Sequence, residues 1–210
     1  MSSREDINCF ESRYRSGNTP WDTGRPDKNL TALIHELVEP GSRILEIGCG
    51  TGDNAIFMAS IGLKVTATEI VPMALQKAKE KAAKKALNVN FLLRDIMEKD
   101  IPGNPFDMAF DRGCFHHFDS LQKRRDFAQR ISYHLKEEGP WLSLIGNADD
   151  TRPGKGPPRL KASEVVEAVE PFFEILLLKS SYFDSNQAPP PRCWILIAKK
   201  RKGPPSLATP

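Results

Sequence analysis

The chain has 210 residues, 40% hydrophobic and 27% charged, with a formal net charge of +3; this suits one α/β domain with a buried core and is too short for a cofactor domain plus a full substrate domain. No apolar run approaches the ~20 residues of a membrane helix, and the basic surplus sits mainly in QKAKEKAAKKAL (76–87) and KKRK (199–202), without the interleaved aromatics of a nucleic-acid surface. MSSREDINCF has no signal-peptide stretch, so cytoplasmic residence is expected, and Cys9, Cys49, Cys114 and Cys193 lack CxxC spacing, which argues for reduced thiols over a zinc site or disulfide framework.

Short β-branched runs alternate with longer helical patterns, the signature of βαβ units and a parallel sheet. SRILEIG (42–48) predicts the first strand, 54–61 a helix ended by Gly62, and LKVTATEI (63–70) the second strand. Pro72 opens a second helical stretch, with strong helix formers from Met73 to Leu87, and VNFLLRD (89–95) follows as the third strand. FDMAFD (106–111) is the fourth strand, 120–135 a helix with Ser120 as cap, and WLSLIG (141–146) the fifth strand. The Gly/Pro-rich stretch 149–160 predicts a loop, 163–169 a helix, and FFEILLLKSSYF (172–183) and RCWILIAKK (192–200) two closing strands. The expected organisation is a single domain over residues 1–202, with a disordered tail at 203–210.

The first strand runs into G-x-G-x-G at Gly48, Gly50 and Gly52, where the backbone can turn sharply into a helix and approach a ligand that a Cβ would exclude. Glu69 ends the second strand 17 residues beyond Gly52, placed to accept hydrogen bonds from two ribose hydroxyls. Asp95 ends the third strand and Asp111 the fourth, so three acids fall on the carboxyl edge, where an open parallel sheet binds its ligand. Taken singly, each acid also fits a turn or cap. A nicotinamide dehydrogenase uses similar parts but wants G-x-G-x-x-G; here the third glycine comes one residue early and Glu46 stands just before the loop, an acid suited to a cofactor with an ammonium group and no pyrophosphate.

LEIGCGTGD (45–53), ATEI (67–70), RDI (94–96) and FDMAFDRG (106–113) resemble the four successive motifs of class I S-adenosylmethionine-dependent methyltransferases. The resemblance spans Tyr14 to Lys199 and implies a Rossmann-like three-layer α/β sandwich, its seven-stranded, mostly parallel sheet ending in an antiparallel strand. It implies S-adenosylmethionine (SAM) as cofactor and S-adenosylhomocysteine (SAH) as product. The loop with Gly48, Cys49, Gly50 and Gly52, continued by Asn54, would hold the methionine part. Glu69 would take the ribose, Asp95 and Ile96 the adenine edge, and Ile70 would pack on the adenine ring. Asp111 is counted both with the cofactor contacts and with the catalytic group.

TPWDTGRP (19–26) is similar to the lid segment of thiol and halide methyltransferases, relatives of the thiopurine methyltransferases, in which a PWD-x-G stretch covers the cofactor. The lid would occupy about residues 9–30. An indole such as Trp21 can lie over a sulfonium by cation–π attraction while excluding water; Tyr14 and Arg25 flank it. GKGPPRLKAS (154–163) resembles that group's G-G-P-P loop, with Arg159 where an aromatic is frequent, a departure that suits an organic carboxylate better than a bare halide. In DRGCFHHF (111–118), His116 and His117 fall beside the expected methyl group, and either can take a proton from a thiol, amine or hydroxyl. Packing is the default for Cys114, no metal site is expected, and NPFD (104–107) is discounted because it precedes the fourth strand. The expected activity is methylation of a small molecule, foremost a small thiol. Halide, amine or hydroxyl acceptors, and then RNA or protein, are the alternatives.

Overall fold

The computed structural model describes residues 4–153 and 156–203. The strands are β1 (Arg43–Ile47), β2 (Lys64–Glu69), β3 (Asn90–Leu93), β4 (Met108–Arg112), β5 (Pro140–Gly146), β6 (Phe173–Tyr182) and β7 (Arg192–Lys200). The helices are α1 (Arg4–Ser16), α2 (Lys28–Leu37), α3 (Asp53–Ser60), α4 (Pro72–Lys84), α5 (Leu121–His134) and α6 (Ala162–Val169), with a 3₁₀ turn at Phe115–His117. One sheet runs in the order β3-β2-β1-β4-β5-β7-β6. All pairs are parallel except those of β7, which is antiparallel to both β5 and β6.

Period-two alternation sorts the strand residues between two apolar layers. Leu45, Ile47, Ala109, Trp141 and Leu196 pack with Phe127 and Ile131 of α5 and Val165 of α6. Ile44, Met108, Phe110, Leu142 and Ile195 pack on the opposite face with Leu30 and Ile34 of α2, Met58 of α3 and Leu75 of α4. The result is the expected three-layer sandwich with its seven-stranded sheet and antiparallel last strand.

Most predicted elements recur with boundaries moved by a residue or two. Pro72 opens α4, Gly62 follows α3 in left-handed conformation, and Ser120 caps α5 by accepting from the Lys123 N–H at 3.3 Å. Three features differ. Helix α4 ends at Lys84 because Leu87 N–H turns back to the Ala82 carbonyl with Ala86 at φ 52°, a left-handed stop made without glycine. Strand β4 begins at Met108, since Phe106 pairs instead with Leu135 in an isolated bridge. Helices α1 and α2 were not anticipated; α2 is capped by Asp27, whose carboxylate accepts the Asn29 N–H. Residues 204–210 of the expected tail, and Gly154 and Lys155 of the glycine-proline loop, lie outside the described residues. Among the described residues, no helix is long and apolar enough to cross a membrane, and no cluster of three His, Cys, Asp or Glu side chains could hold a metal.

Candidate active site

The parallel strands end together at Ile47, Glu69 and Arg112, so the turns after β1, β2 and β4 share one edge of the sheet. In the first of these turns Gly50 stands at φ 55°, and a Cβ there would come within 2.8 Å of the Tyr14 hydroxyl. Gly48 is equally confined, because a Cβ would collide with the Cys114 sulfur. Only glycine permits both the turn and these approaches. Gly52 opens α3 and packs against Ala78 of α4, while Cys49 is buried beside them.

Glu69 binds the turn together: one carboxylate oxygen accepts the Gly50 N–H at 2.8 Å, the other the N–H groups of Ile70 at 2.7 Å and Val71 at 2.9 Å. Three of about four lone-pair sites are thus filled, leaving room for an outside donor. Burial raises its pKa against the opposing pull of these amides. Glu46 is more isolated. It is 1% exposed, its Oε2 has no partner among the described residues, and burial pushes its carboxyl up to about 8. An unsatisfied buried carboxylate oxygen beside a glycine turn is costly alone and fits a cationic ligand group. Asn54 contributes from the side: its Oδ1 accepts the Asp27 N–H at 2.8 Å and its side chain bonds Glu46. Ile70 is half-buried against Trp21's cluster, whereas the Ile96 side chain lies in the core. Asp95 accepts the Met97 N–H at 2.8 Å.

The N-terminal segment covers this edge. Trp21 donates to the Tyr14 hydroxyl at 3.2 Å and meets the ring of Phe10 edge-on at 6.0 Å, while the Arg13 guanidinium stacks on it at 4.4 Å. Burial, with Glu69 near by, raises the Tyr14 pKa, so its phenol stays protonated. Asp22 accepts the Thr51 hydroxyl at 2.8 Å, and Lys81 reaches both Thr51 and Asp53. Behind the segment, Asp27 accepts from Arg112 at 2.7 Å in a buried ion pair, and Arg112 also donates to the Asp184 carbonyl and lies over Phe183. Asp22, Lys81, Asp27 and Arg112 were not among the residues predicted to form the site. Asp22 sits inside the PWD string, but nothing in the lysine-rich α4 singles out Lys81.

The catalytic group reads differently in three dimensions. Asp111 is fully buried; one oxygen accepts from the Trp141 indole at 2.9 Å, the other from the N–H groups of Cys114 and Phe115 at 3.1 and 3.2 Å. It shapes the 3₁₀ turn with both oxygens engaged, and burial raises its pKa to about 6. His116 accepts the Gly146 N–H at Nδ1, 2.7 Å away, so its proton is on Nε2. Burial, with His117 and Arg112 adjacent, holds its pKa well below the usual value. The expectation that His116 takes up a proton therefore meets a lone pair already in use; as a neutral ring it is a donor through Nε2–H. His117 is exposed, edge-on to Phe10 at 5.1 Å and 4.8 Å from the His116 ring. Arg25 is exposed on the surface. Arg159 does not stand free: it donates to the Asp150 carbonyl at 2.7 Å and the Arg152 carbonyl at 3.4 Å, bracing its own loop.

Comparison with known proteins decides the family. Residues 44–139 match a methyltransferase domain. Over 195 residues the chain is 33% identical to "Probable thiol methyltransferase 2" of Arabidopsis thaliana, covering 91% of this chain and 83% of that protein. The chain belongs to the class I SAM-dependent methyltransferases. It is also 30% identical over 162 residues to "Thiocyanate methyltransferase 1" of Brassica oleracea, covering 76% of this chain and 70% of that one. The methyltransferase fold recurs, with a TM-score of 0.80 at 21% identity and 94% coverage of each chain, in a structure described by the conversion of a disulfide bond into a thioacetal group during echinomycin biosynthesis. This methyltransferase thus uses SAM and is similar to the thiol methyltransferase group.

Proposed function

We propose that the chain S-methylates a small thiol by direct in-line displacement. The observation that carries this reading is that, among the described residues, the buried acid and imidazole of the turn after β4 are already engaged: Asp111 accepts from three donors and the His116 Nδ1 lone pair is taken, while His117 faces solvent. Such a site suits an acceptor that arrives with its nucleophilic electron pair already free. A thiol, with an unperturbed pKa of about 8.5, supplies a thiolate fraction near neutrality, where an alcohol or protonated amine would need a base. Similarity to thiol and thiocyanate methyltransferases supports the same choice.

When bound, SAM supplies the electrophilic methyl carbon that the thiolate attacks, neutral SAH leaving with the sulfur–carbon electron pair. The chain's work is to bind, align and exclude water, effects worth up to ~7–11 kcal/mol in favourable cases. Glu46 would receive the ammonium group and Glu69 the ribose, and the Gly48–Gly52 turn would let the methionine part approach the backbone. Asp95, the backbone at Ile96 and Ile70 would border the adenine, and Trp21 with Tyr14 would cover the sulfonium. His116 donates its Nε2–H toward the incoming thiolate, whose proton has already gone to solvent in the thiol's own ionisation.

The test is methyl transfer to a panel of thiols, halides, amines and phenols, followed by kcat/KM against pH for two thiols about two pKa units apart. The rising limb should move with the pKa of the thiol. A limb fixed at one pH for both thiols would reveal an enzyme base, and absence of transfer to every thiol would end the sulfur assignment.

A further inference from the structure

The segment that carries Trp21 is held from two sides. Its backbone is tied to the turn between β6 and β7: Asn186 N–H donates to the Pro20 carbonyl at 2.8 Å, Ser185 to the same oxygen at 3.1 Å, and the Asn186 amide to the Asp22 carbonyl at 3.0 Å. Its side-chain tie leads elsewhere, to a polar cluster formed by the glycine turn, α3 and α4. Thr51 Oγ1 donates its single proton to Asp22 at 2.8 Å and accepts one from the Lys81 ammonium at 2.7 Å. Lys81 divides its remaining donors between the two oxygens of Asp53, at 2.9 and 3.0 Å, and stands 3.5 Å from Asp22. Two carboxylates therefore converge on one ammonium, and without it Asp22 and Asp53 would face each other across the Thr51 hydroxyl.

We propose that Lys81 is a positioning residue for methyl transfer: acting through Thr51 it latches Asp22, and with it the neighbouring Trp21, onto the glycine turn. Grip on the cofactor and closure of residues 19–26 are then one event. The Gly48–Gly52 turn that would hold the methionine part also presents Thr51, and Thr51 with Lys81 retains Asp22. An ammonium on α4 thereby sets how long the segment stays shut. The proposal rests on the reading that residues 19–26 border the SAM site.

The experiment compares Lys81→Met, Lys81→Arg, Thr51→Val and Trp21→Ala with the unaltered protein, using SAH as the probe. Calorimetry gives SAH affinity, hydrogen exchange reports residues 19–27, and a melt checks folding. Lys81→Met and Thr51→Val, which cut the same link from opposite sides, should each weaken SAH binding about tenfold, as loss of a charge-assisted bond implies. Exchange in 19–27 should quicken in the SAH-bound state, and KM for SAM should rise while the acceptor KM holds. Lys81→Arg should recover most of the affinity. Faster exchange with unchanged SAH affinity would overturn the coupling, as would weaker SAH binding with the 19–27 exchange unaltered. Trp21→Ala without effect on the affinity for either SAM or SAH would remove the segment from the site, and the latch with it.

Discussion

Glu46 is a buried acid that the fold keeps short of partners. Burial raises its pKa from 4.5 to about 8, so the folded chain holds this proton where the unfolded chain releases it. The sign follows by linkage: its favourable contribution is complete below about pH 4.5 and is lost as pH rises through about 8. Melting temperature should fall from about pH 6 to about pH 9 more steeply in the unaltered protein than in Glu46→Gln, which cannot ionise; parallel curves would contradict it. If Glu46 receives the cofactor's ammonium, SAH binding near pH 7 should release a proton, seen as a dependence of calorimetric heat on the buffer's ionisation enthalpy. The presence of Glu46 and Glu69 was legible in the sequence because the acids flank the glycine turn and the second strand. The protonation of Glu46 was not, since it depends on burial by residues far apart in the chain. His116 shows the same limit: the histidine was visible, but its Nδ1 partner is a backbone N–H 30 residues away.

At the scale of elements, Gly146 and the Asp27–Arg112 pair matter most. A Cβ at Gly146 would collide with the Pro158 carbonyl and come 3.2 Å from His116 Nδ1. Gly146→Ala should therefore push the β5–α6 loop outward, at about 1–3 kcal/mol of stability, with a concurrent loss of kcat because the His116 ring is displaced. A melt and a steady-state assay check both. Asp27 caps α2 and simultaneously pairs with Arg112 at the end of β4, with side chains 1% and 12% exposed. Asp27→Ala leaves a buried guanidinium without its carboxylate, a change worth about 3–5 kcal/mol, so the melting temperature should fall on the order of 10 °C. Element type was readable wherever apolar period and punctuation agreed, as at Pro72, Gly62 and Ser120. It was not readable at Ala86, where a residue with no turn preference takes the left-handed stop. Helix α2 did carry a signal, Asp27 followed by Leu30, Ile34 and Leu37 at helical spacing; α1, with its polar sequence, carried almost none.

For the whole molecule, a ligand that binds only the folded chain must raise its stability. SAH at about 100 times its Kd should add ≈ 2.7 kcal/mol and raise the melting temperature by about 5–10 °C. A shift below about 2 °C would mean that SAH does not select the folded chain over the unfolded one, against the cofactor assignment. The turn between β6 and β7 has a further consequence, which concerns the order of events in synthesis. Asp184 donates its N–H to Asp27 across 157 residues, and Ser185 reaches Pro20 across 165. Contacts of such span close late, because the intervening chain must first be ordered. On the ribosome, the glycine turn and β1 to β5 emerge well before the residues that fasten the N-terminal segment over them. The nascent chain therefore holds its N-terminal segment through Thr51 and Lys81 until the β6–β7 hairpin docks, and that docking completes the closure of the reaction chamber to water.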